Sequence, residues 1–191
     1  MNLRNADWLQ LKKIPNNLTI IRLLFVPVLL IIFPINHYIT DMLTALLFLV
    51  AALTDFFDGF FARKYNSESK LGALLDPVAD KVLAITMLMM LCSLERIPTL
   101  LAGLLIMRDV LICGIRAAAA EHGVSIAVSK IGKYKTAALW ISIFCLIIDQ
   151  SLFRVVGMIG VWIALILSVW SAYEYWRQYC EQVESEVAPK S

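Results

Sequence analysis

Two pairs of aspartates are the residues of this sequence whose types and spacing could do chemistry. Asp55 and Asp58 are three residues apart, and Asp76 and Asp80 are four residues apart. On an α-helix, either spacing puts both carboxylates of a pair on the same face. We expect a loop at about residues 65–74 to reverse the chain, so that antiparallel packing of the two helices brings all four carboxylates together.

Four clustered carboxylates at the end of apolar helices need a compensating cation. Their mutual repulsion and their desolvation would cost several kcal/mol. Hard divalent ions such as Mg²⁺ or Mn²⁺ prefer carboxylate oxygens and commonly bridge substrate phosphates. Four carboxylates suit two such ions, an arrangement well matched to displacement at phosphorus. The spacing therefore predicts a metal site formed by Asp55, Asp58, Asp76 and Asp80.

Surface salt bridges to the neighbouring basic residues are the simpler interpretation, and for a single aspartate at a helix end we would favour it. The pattern also contains Gly59, Gly72 and Arg63, however. A glycine lets a ligand approach the backbone closely, and an arginine can bind a phosphate through two parallel hydrogen bonds. This combination favours a site that binds a substrate phosphate.

The elements that must position these residues are membrane helices. The chain of 191 residues is 60% hydrophobic and 17% charged, whereas a soluble domain is about 45–50% apolar and about 25% charged. A membrane helix needs about 20 mostly apolar residues. The sequence therefore predicts an all-α integral membrane protein with six transmembrane helices, at about residues 18–36, 40–62, 76–94, 98–120, 133–150 and 154–177.

The basic residues predict the orientation of these helices. With six spans, 15 of the 17 lysines and arginines fall on the side of the two termini, and only Arg96 and Arg154 fall on the other. Such asymmetry predicts that both termini are cytoplasmic. We further expect a short interfacial helix at residues 3–13, one membrane domain over residues 1–180, and a short, acidic, disordered tail over 181–191. The net charge of +2 gives no indication of nucleic acid as a partner.

A second set of polar residues is basic and falls on the same predicted side. Arg108 and Arg116 are eight residues apart on segment four, so they project within about 80° of each other. A phosphate group on a second substrate would explain these residues together with three that begin segment five, Lys133, Lys135 and Thr136. The alternative is that such residues only anchor the topology or meet anionic lipids, and this alternative is strongest for Lys130.

The aspartate pattern, D-x-x-D-G-x-x-A-R, eight residues, then G-x-x-x-D-x-x-x-D, resembles the signature of the CDP-alcohol phosphotransferases at every position. The resemblance implies six membrane helices, a homodimer and CDP-diacylglycerol as the phosphatidyl donor. It also implies that Asp80 is a metal ligand and the general base, that the other three aspartates are metal ligands, and that the cytidine diphosphate is bordered by Gly59, Ala62, Arg63 and Gly72.

Three further stretches resemble bacterial phosphatidylglycerophosphate synthases. They are I-G-K-Y-K-T-A, M-R-D-V-L-I-C-G-I-R, in which Asp109 stands where glutamate is common, and P-N-N-L-T-I-I-R, whose Asn17 and Thr19 would line the nucleotide site. The resemblance implies sn-glycerol 3-phosphate as acceptor, with phosphatidylglycerophosphate and CMP as products in the bacterial inner membrane. The acceptor phosphate would be bound by Arg108, Arg116, Lys133, Lys135 and Thr136.

Other functions remain open at the level of the sequence. Serine, an inositol phosphate or phosphatidylglycerol could replace glycerol 3-phosphate as acceptor. An ion-coupled transporter would place its carboxylates near the middle of the bilayer, whereas these aspartates fall at the predicted cytoplasmic ends of segments two and three. An intramembrane prenyltransferase also uses aspartates on diphosphates, but it fits poorly with the glycines and with the Ala62-Arg63 pair.

Overall fold

The computed structural model describes residues 14–65, 70–121 and 130–187, with the side chains of residues 22–54, 79, 81–115 and 131–178. All regular secondary structure in these ranges is helical, which confirms the predicted all-α class. A short 3₁₀ helix, Phe33–Ile35, follows the first of six long helices: α1 (Ile14–Ile32), α2 (Tyr38–Tyr65), α3 (Lys70–Ser93), α4 (Thr99–Glu121), α5 (Lys130–Ile148) and α6 (Ser151–Val187).

Each predicted apolar stretch corresponds to one helix, but two boundaries were wrong. Helix α2 continues to Tyr65 and α3 begins at Lys70, so residues 70–74 are helical and not part of the predicted loop at 65–74. The apolar pattern of α3 begins at Leu71 and continues through Gly72. Helix α6 continues to Val187, where the sequence predicted a disordered tail from residue 181; glutamate and glutamine are good helix formers, which explains the extension. The predicted interfacial helix at residues 3–13 lies outside the described residues.

The length of the apolar helices and their exposed apolar side chains indicate a membrane protein. Among the described residues, Ile131–Ile148 and Ser151–Gln178 are long and apolar enough to cross a bilayer, and shorter apolar stretches cover Arg22–Ile35, Tyr38–Thr54 and Lys81–Ser93. Helix α6 leaves Trp162, Ile166, Val169 and Trp170 exposed. So much apolar surface along one helix is favourable in contact with lipid and unfavourable in contact with water.

The chain divides into two compact units. Unit 1 comprises residues 1–96 and 147–149, and unit 2 comprises residues 97–146 and 150–191. In unit 1, α1 packs against both α2 and α3; in unit 2, α4 packs against α6. Helix α6 also approaches α5 closely, since a Cβ atom added at Gly157 would lie only 2.7 Å from Cγ of Leu146 and 3.1 Å from the Ser142 carbonyl oxygen. Glycine at this position is what lets the two helices approach.

The guanidinium of Arg96 joins several segments of unit 1. Arg96 follows α3, and its side chain is only 3% exposed. Nη1 donates a hydrogen bond to the Ile147 carbonyl oxygen, and Nη2 donates to Oδ1 of Asn36 and to Oδ2 of Asp41, each at 2.6 Å. A buried carboxylate needs such a partner. One side chain therefore binds the residue that follows the 3₁₀ helix, the start of α2 and the segment around Ile147.

We call Arg96 and its partners Asn36, Asp41 and Ile147 the Arg96 cluster. Two further contacts and an unusual backbone conformation accompany it. The Asp149 carboxylate lies 3.5 Å from Nε of Arg96, and the guanidinium lies 5.1 Å from the centroid of the Phe33 ring. Asn36, Glu95 and Asp149 adopt left-handed backbone conformations, with φ of 50°, 56° and 52°. Non-glycine residues rarely adopt this conformation, so the packing and hydrogen bonds of the cluster must hold these three turns in place.

We predict that Arg96→Met destabilises the protein by about 3–5 kcal/mol, because the substitution leaves the buried Asp41 carboxylate without its cation. The double variant Arg96→Met, Asp41→Asn should recover part of this loss, since both charges are then gone. Thermal unfolding of the purified protein in detergent measures both effects. A single variant as stable as wild type, or a double variant less stable than the single one, would contradict this role.

Candidate active site

Both aspartate pairs lie on helices of unit 1. Asp55 and Asp58 are on α2, and Asp76 and Asp80 are on α3. Their side chains lie outside the part of the chain that the structure describes, so whether the four carboxylates meet stays a prediction. The backbone of these helices nevertheless fixes how far along each helix the aspartates lie.

The two pairs lie at similar distances from the Arg96 cluster. Asp55 and Asp58 follow Asp41 by 14 and 17 residues along α2, or about 21 and 26 Å at 1.5 Å per residue. Asp80 and Asp76 precede the end of α3 at Ser93 by 13 and 17 residues, or about 20 and 26 Å. Because α2 begins near the cluster and α3 ends near it, the two pairs lie at about the same distance from it, measured along their own helices.

For the other residues predicted to bind the donor, the structure gives the helix on which each one lies, but not the position of its side chain. Gly59, Ala62 and Arg63 lie near the end of α2, Gly72 lies in the first turn of α3, and Asn17 and Thr19 lie in α1. Their side-chain positions are outside the described residues, as is that of Arg116 on α4. Among the side chains that are described, no group of three or more His, Cys, Asp or Glu residues could hold a metal ion; the four aspartates are not among them.

Lys135 is the best-defined member of the predicted acceptor site. Its side chain is buried in unit 2, and Nζ donates hydrogen bonds of 2.6 and 2.7 Å to the two carboxylate oxygens of Asp109. Bonds between a cation and a carboxylate are short and strong. They fix the first turns of α5, which carry Lys135, against α4, which carries Asp109. The sequence singled out Lys135 but did not predict this partner.

Arg108 binds the protein itself through all three of its nitrogens. Nε donates to the Ser168 carbonyl oxygen at 2.8 Å, Nη1 donates to Oδ1 of Asp109 at 3.0 Å, and Nη2 donates to Oγ of Ser171. These bonds join α4 to α6. The sequence did not indicate Asp109, Ser168 and Ser171 as partners. Two serines three residues apart in an apolar stretch of α6 were a usable signal, because serines commonly bond across membrane helices.

The remaining members of the predicted acceptor site differ in exposure. Lys133 is exposed, and Oγ1 of Thr136 donates a 3.0 Å hydrogen bond to the Gly132 carbonyl oxygen. Arg108 and Lys135 share Oδ1 of Asp109. Among the described side chains, this part of unit 2 thus brings two cations to one carboxylate, and Lys133 adds a further positive charge. The resulting positive potential would attract an anion.

A comparison with known protein families extends this picture. The CDP-alcohol phosphatidyltransferase family matches this chain over residues 12–170. The chain belongs to that family. The matched range contains both aspartate pairs and all the basic residues predicted to bind the acceptor, so membership rests on most of the chain and not on one motif. As a CDP-alcohol phosphatidyltransferase, the protein is an enzyme of phospholipid biosynthesis, and the transporter and prenyltransferase alternatives are set aside.

Individual relatives match nearly end to end. A CDP-diacylglycerol–glycerol-3-phosphate 3-phosphatidyltransferase of Rickettsia typhi is 36% identical over 172 residues, which cover 87% of this chain and 97% of the relative. The protein of the same name from Rickettsia bellii is 38% identical over 174 residues, covering 87% and 94%. That from Salmonella choleraesuis is 38% identical over 167 residues, covering 85% and 92%. Enzymes of this family generally use divalent metal ions.

The shared carboxylate predicts an order of stabilities. Asp109→Asn should lower the unfolding temperature more than Lys135→Met does, because it leaves Arg108 and Lys135 close together without their common anion, whereas Lys135→Met leaves Asp109 paired with Arg108. Thermal unfolding in detergent gives the order, with Lys133→Met as a control at an exposed position of the same helix. If the lysine variant were the less stable of the two, Asp109 would not be the centre of this network.

Proposed function

We propose that this enzyme transfers the phosphatidyl group of CDP-diacylglycerol to sn-glycerol 3-phosphate, giving phosphatidylglycerophosphate and CMP. The observation that carries the proposal is the near end-to-end similarity to relatives named for this reaction, covering 92–97% of their length in the three cases above. The basic, partly buried network around Lys135 supports an acceptor that carries a phosphate, because phosphates are bound through charge-assisted hydrogen bonds.

We propose six transmembrane helices with both termini in the cytoplasm, in the bacterial inner membrane, as a homodimer with one family domain over residues 1–180 followed by an acidic tail. The distribution of lysine and arginine supports this orientation. The similar distance of the two aspartate pairs from the Arg96 cluster, measured along α2 and α3, supports an active site at the cytoplasmic boundary. Water-soluble glycerol 3-phosphate would be available there.

The metal ions are proposed to be Mg²⁺ or Mn²⁺, two in number. Asp55, Asp58, Asp76 and Asp80 fit such ions by their chemistry, because they would supply hard carboxylate oxygens from two helices, at similar distances from the Arg96 cluster along each. When bound, the ions would neutralise the diphosphate of the donor as charge develops on CMP. Beside them, the cytidine diphosphate would be bordered by Asn17, Thr19, Gly59, Ala62, Arg63 and Gly72.

Asp80 is proposed to act as the general base. It would take the proton of the acceptor hydroxyl as the hydroxyl oxygen attacks the β-phosphorus of CDP-diacylglycerol. The new bond joins phosphorus to glycerol 3-phosphate, and the bond between the β-phosphorus and the bridging oxygen breaks, so that CMP leaves with both of that bond's electrons. A carboxylate is a weak base, so orientation of the hydroxyl must supply much of the rate.

The acceptor phosphate is proposed to bind Arg116, Lys133, Lys135 and Thr136, with Arg108 beside them. The contacts of Arg108 with Ser168, Ser171 and Asp109 favour a positioning role for this arginine. Of the alternative acceptors, serine has no phosphate and needs fewer basic residues. Phosphatidylglycerol and inositol phosphates share the phosphate chemistry, so a panel of radiolabelled acceptors separates them from glycerol 3-phosphate.

Asp80→Asn should reduce CMP release by about 100-fold or more, the range expected for loss of a general base. The assay uses purified protein with CDP-diacylglycerol, Mg²⁺ and glycerol 3-phosphate, and Asp149→Asn serves as a control because its carboxylate lies beside the Arg96 cluster. Near-normal turnover of the Asp80 variant would remove Asp80 as the base. Wild-type turnover with another acceptor of the panel, and none with glycerol 3-phosphate, would overturn the acceptor assignment.

A further inference from the structure

Arg22 is a fully buried arginine in α1. Its side chain is 0% exposed, although the distribution of charge along the sequence suggested only a basic residue that helps to orient the first span. Burying a guanidinium costs several kcal/mol unless an anion and hydrogen bonds compensate it. The identity of that anion decides what Arg22 does.

The acidic residues available within the three helices of unit 1 are few. Helix α1 contains none, and α2 and α3 together contain five: Asp41, Asp55, Asp58, Asp76 and Asp80. Helix α1 packs against both α2 and α3. The carboxylate of Asp41 is bound to Arg96 at the other end of α2. Within these helices, the acidic residues left to compensate Arg22 are the four that we propose to be metal ligands.

The position of Arg22 along α1 also favours these four aspartates as its partners. Ten residues separate Arg22 from the end of α1 at Ile32, and the 3₁₀ helix Phe33–Ile35 follows before Asn36 of the Arg96 cluster. At 1.5 Å per residue in the α-helix and 2.0 Å in the 3₁₀ helix, Arg22 lies about 21 Å from that cluster. Asp55 and Asp80 lie at about the same distance from the cluster along α2 and α3.

The burial of Arg22 separates two roles. An arginine whose task is to touch the CDP-lipid should face the space that the lipid occupies, whereas Arg22 is covered entirely by the protein. We propose that Arg22 is a positioning residue that pairs with carboxylates of the aspartate cluster, fixes their orientation and offsets part of their charge. This inference rests on the proposed function, because it assigns Arg22 a role toward the same metal ligands.

The proposed role has opposite consequences for ion binding and for turnover. A fixed positive charge beside the aspartates opposes the binding of a divalent cation. Without Arg22, the cluster is more negative and should bind ions more tightly, but its carboxylates are less well oriented. A small misplacement of catalytic groups can cost about 100-fold in rate. A residue needed only for stability would lower ion binding, turnover and unfolding temperature together.

The test compares Arg22→Met and Arg22→Lys with wild type in the full-length protein. Mn²⁺ binding is measured without any lipid substrate, from the EPR signal of free Mn²⁺, and turnover is measured by CMP release. Arg22→Met should bind Mn²⁺ about tenfold more tightly, while kcat falls by about 100-fold and the KM for CDP-diacylglycerol stays near wild type. Arg22→Lys keeps the charge, so its Mn²⁺ affinity should stay near wild type and its kcat should lie between the two.

Arg96→Met is the matched control, because it removes another buried arginine about 20 Å away along the helices. Its Mn²⁺ affinity should equal that of wild type even though its unfolding temperature falls. Unchanged Mn²⁺ affinity and kcat in both Arg22 variants would overturn the inference, as would a raised KM for the donor with kcat unchanged. Should wild type itself bind no Mn²⁺ and release no CMP, the proposed function would fail first.

Discussion

Every charge buried in an apolar environment needs a partner of opposite charge, and this constraint explains the ion pairs within both units of the protein. In unit 1, Arg96 holds Asp41 and thereby joins the ends of several segments. In unit 2, Asp109 holds Lys135 and Arg108. These pairs are costly to bury and still costlier to break. In the proposed site, the four aspartates of α2 and α3 would meet the same constraint, and Arg22 would offer them one positive charge where two or more are needed.

The lengths of α2 and α3 determine how far the two aspartate pairs lie from the Arg96 cluster. Helix α2 begins near the Arg96 cluster and α3 ends near it, and the two aspartate pairs each lie about 20–26 Å from it along their own helix. A shift of either helix by one turn would move one aspartate pair by about 5.4 Å relative to the other.

The sequence was sufficient for the helices and for the family, but not for the contacts. Six apolar stretches predicted six helices, because burial of side chains in lipid depends mainly on composition and length. The predicted bounds were wrong at residues 70–74, whose apolar pattern continues α3, and beyond residue 181, where glutamate and glutamine of high helix propensity extend α6. Arg108 was predicted to meet a substrate phosphate, yet it binds Ser168, Asp109 and Ser171. Spacing along one helix cannot tell which neighbouring helix a long side chain will reach.

The central claim is that aspartates from two different helices hold the same divalent ions. The most direct measurement is the EPR spectrum of Mn²⁺ bound to the purified protein, recorded for wild type, Asp55→Asn and Asp76→Asn. The account predicts two magnetically coupled Mn²⁺ ions per chain in wild type, and loss of the coupling in both variants, although their substitutions are on α2 and α3. Coupling that survives the loss of either carboxylate, or a single isolated Mn²⁺ in wild type, would contradict it.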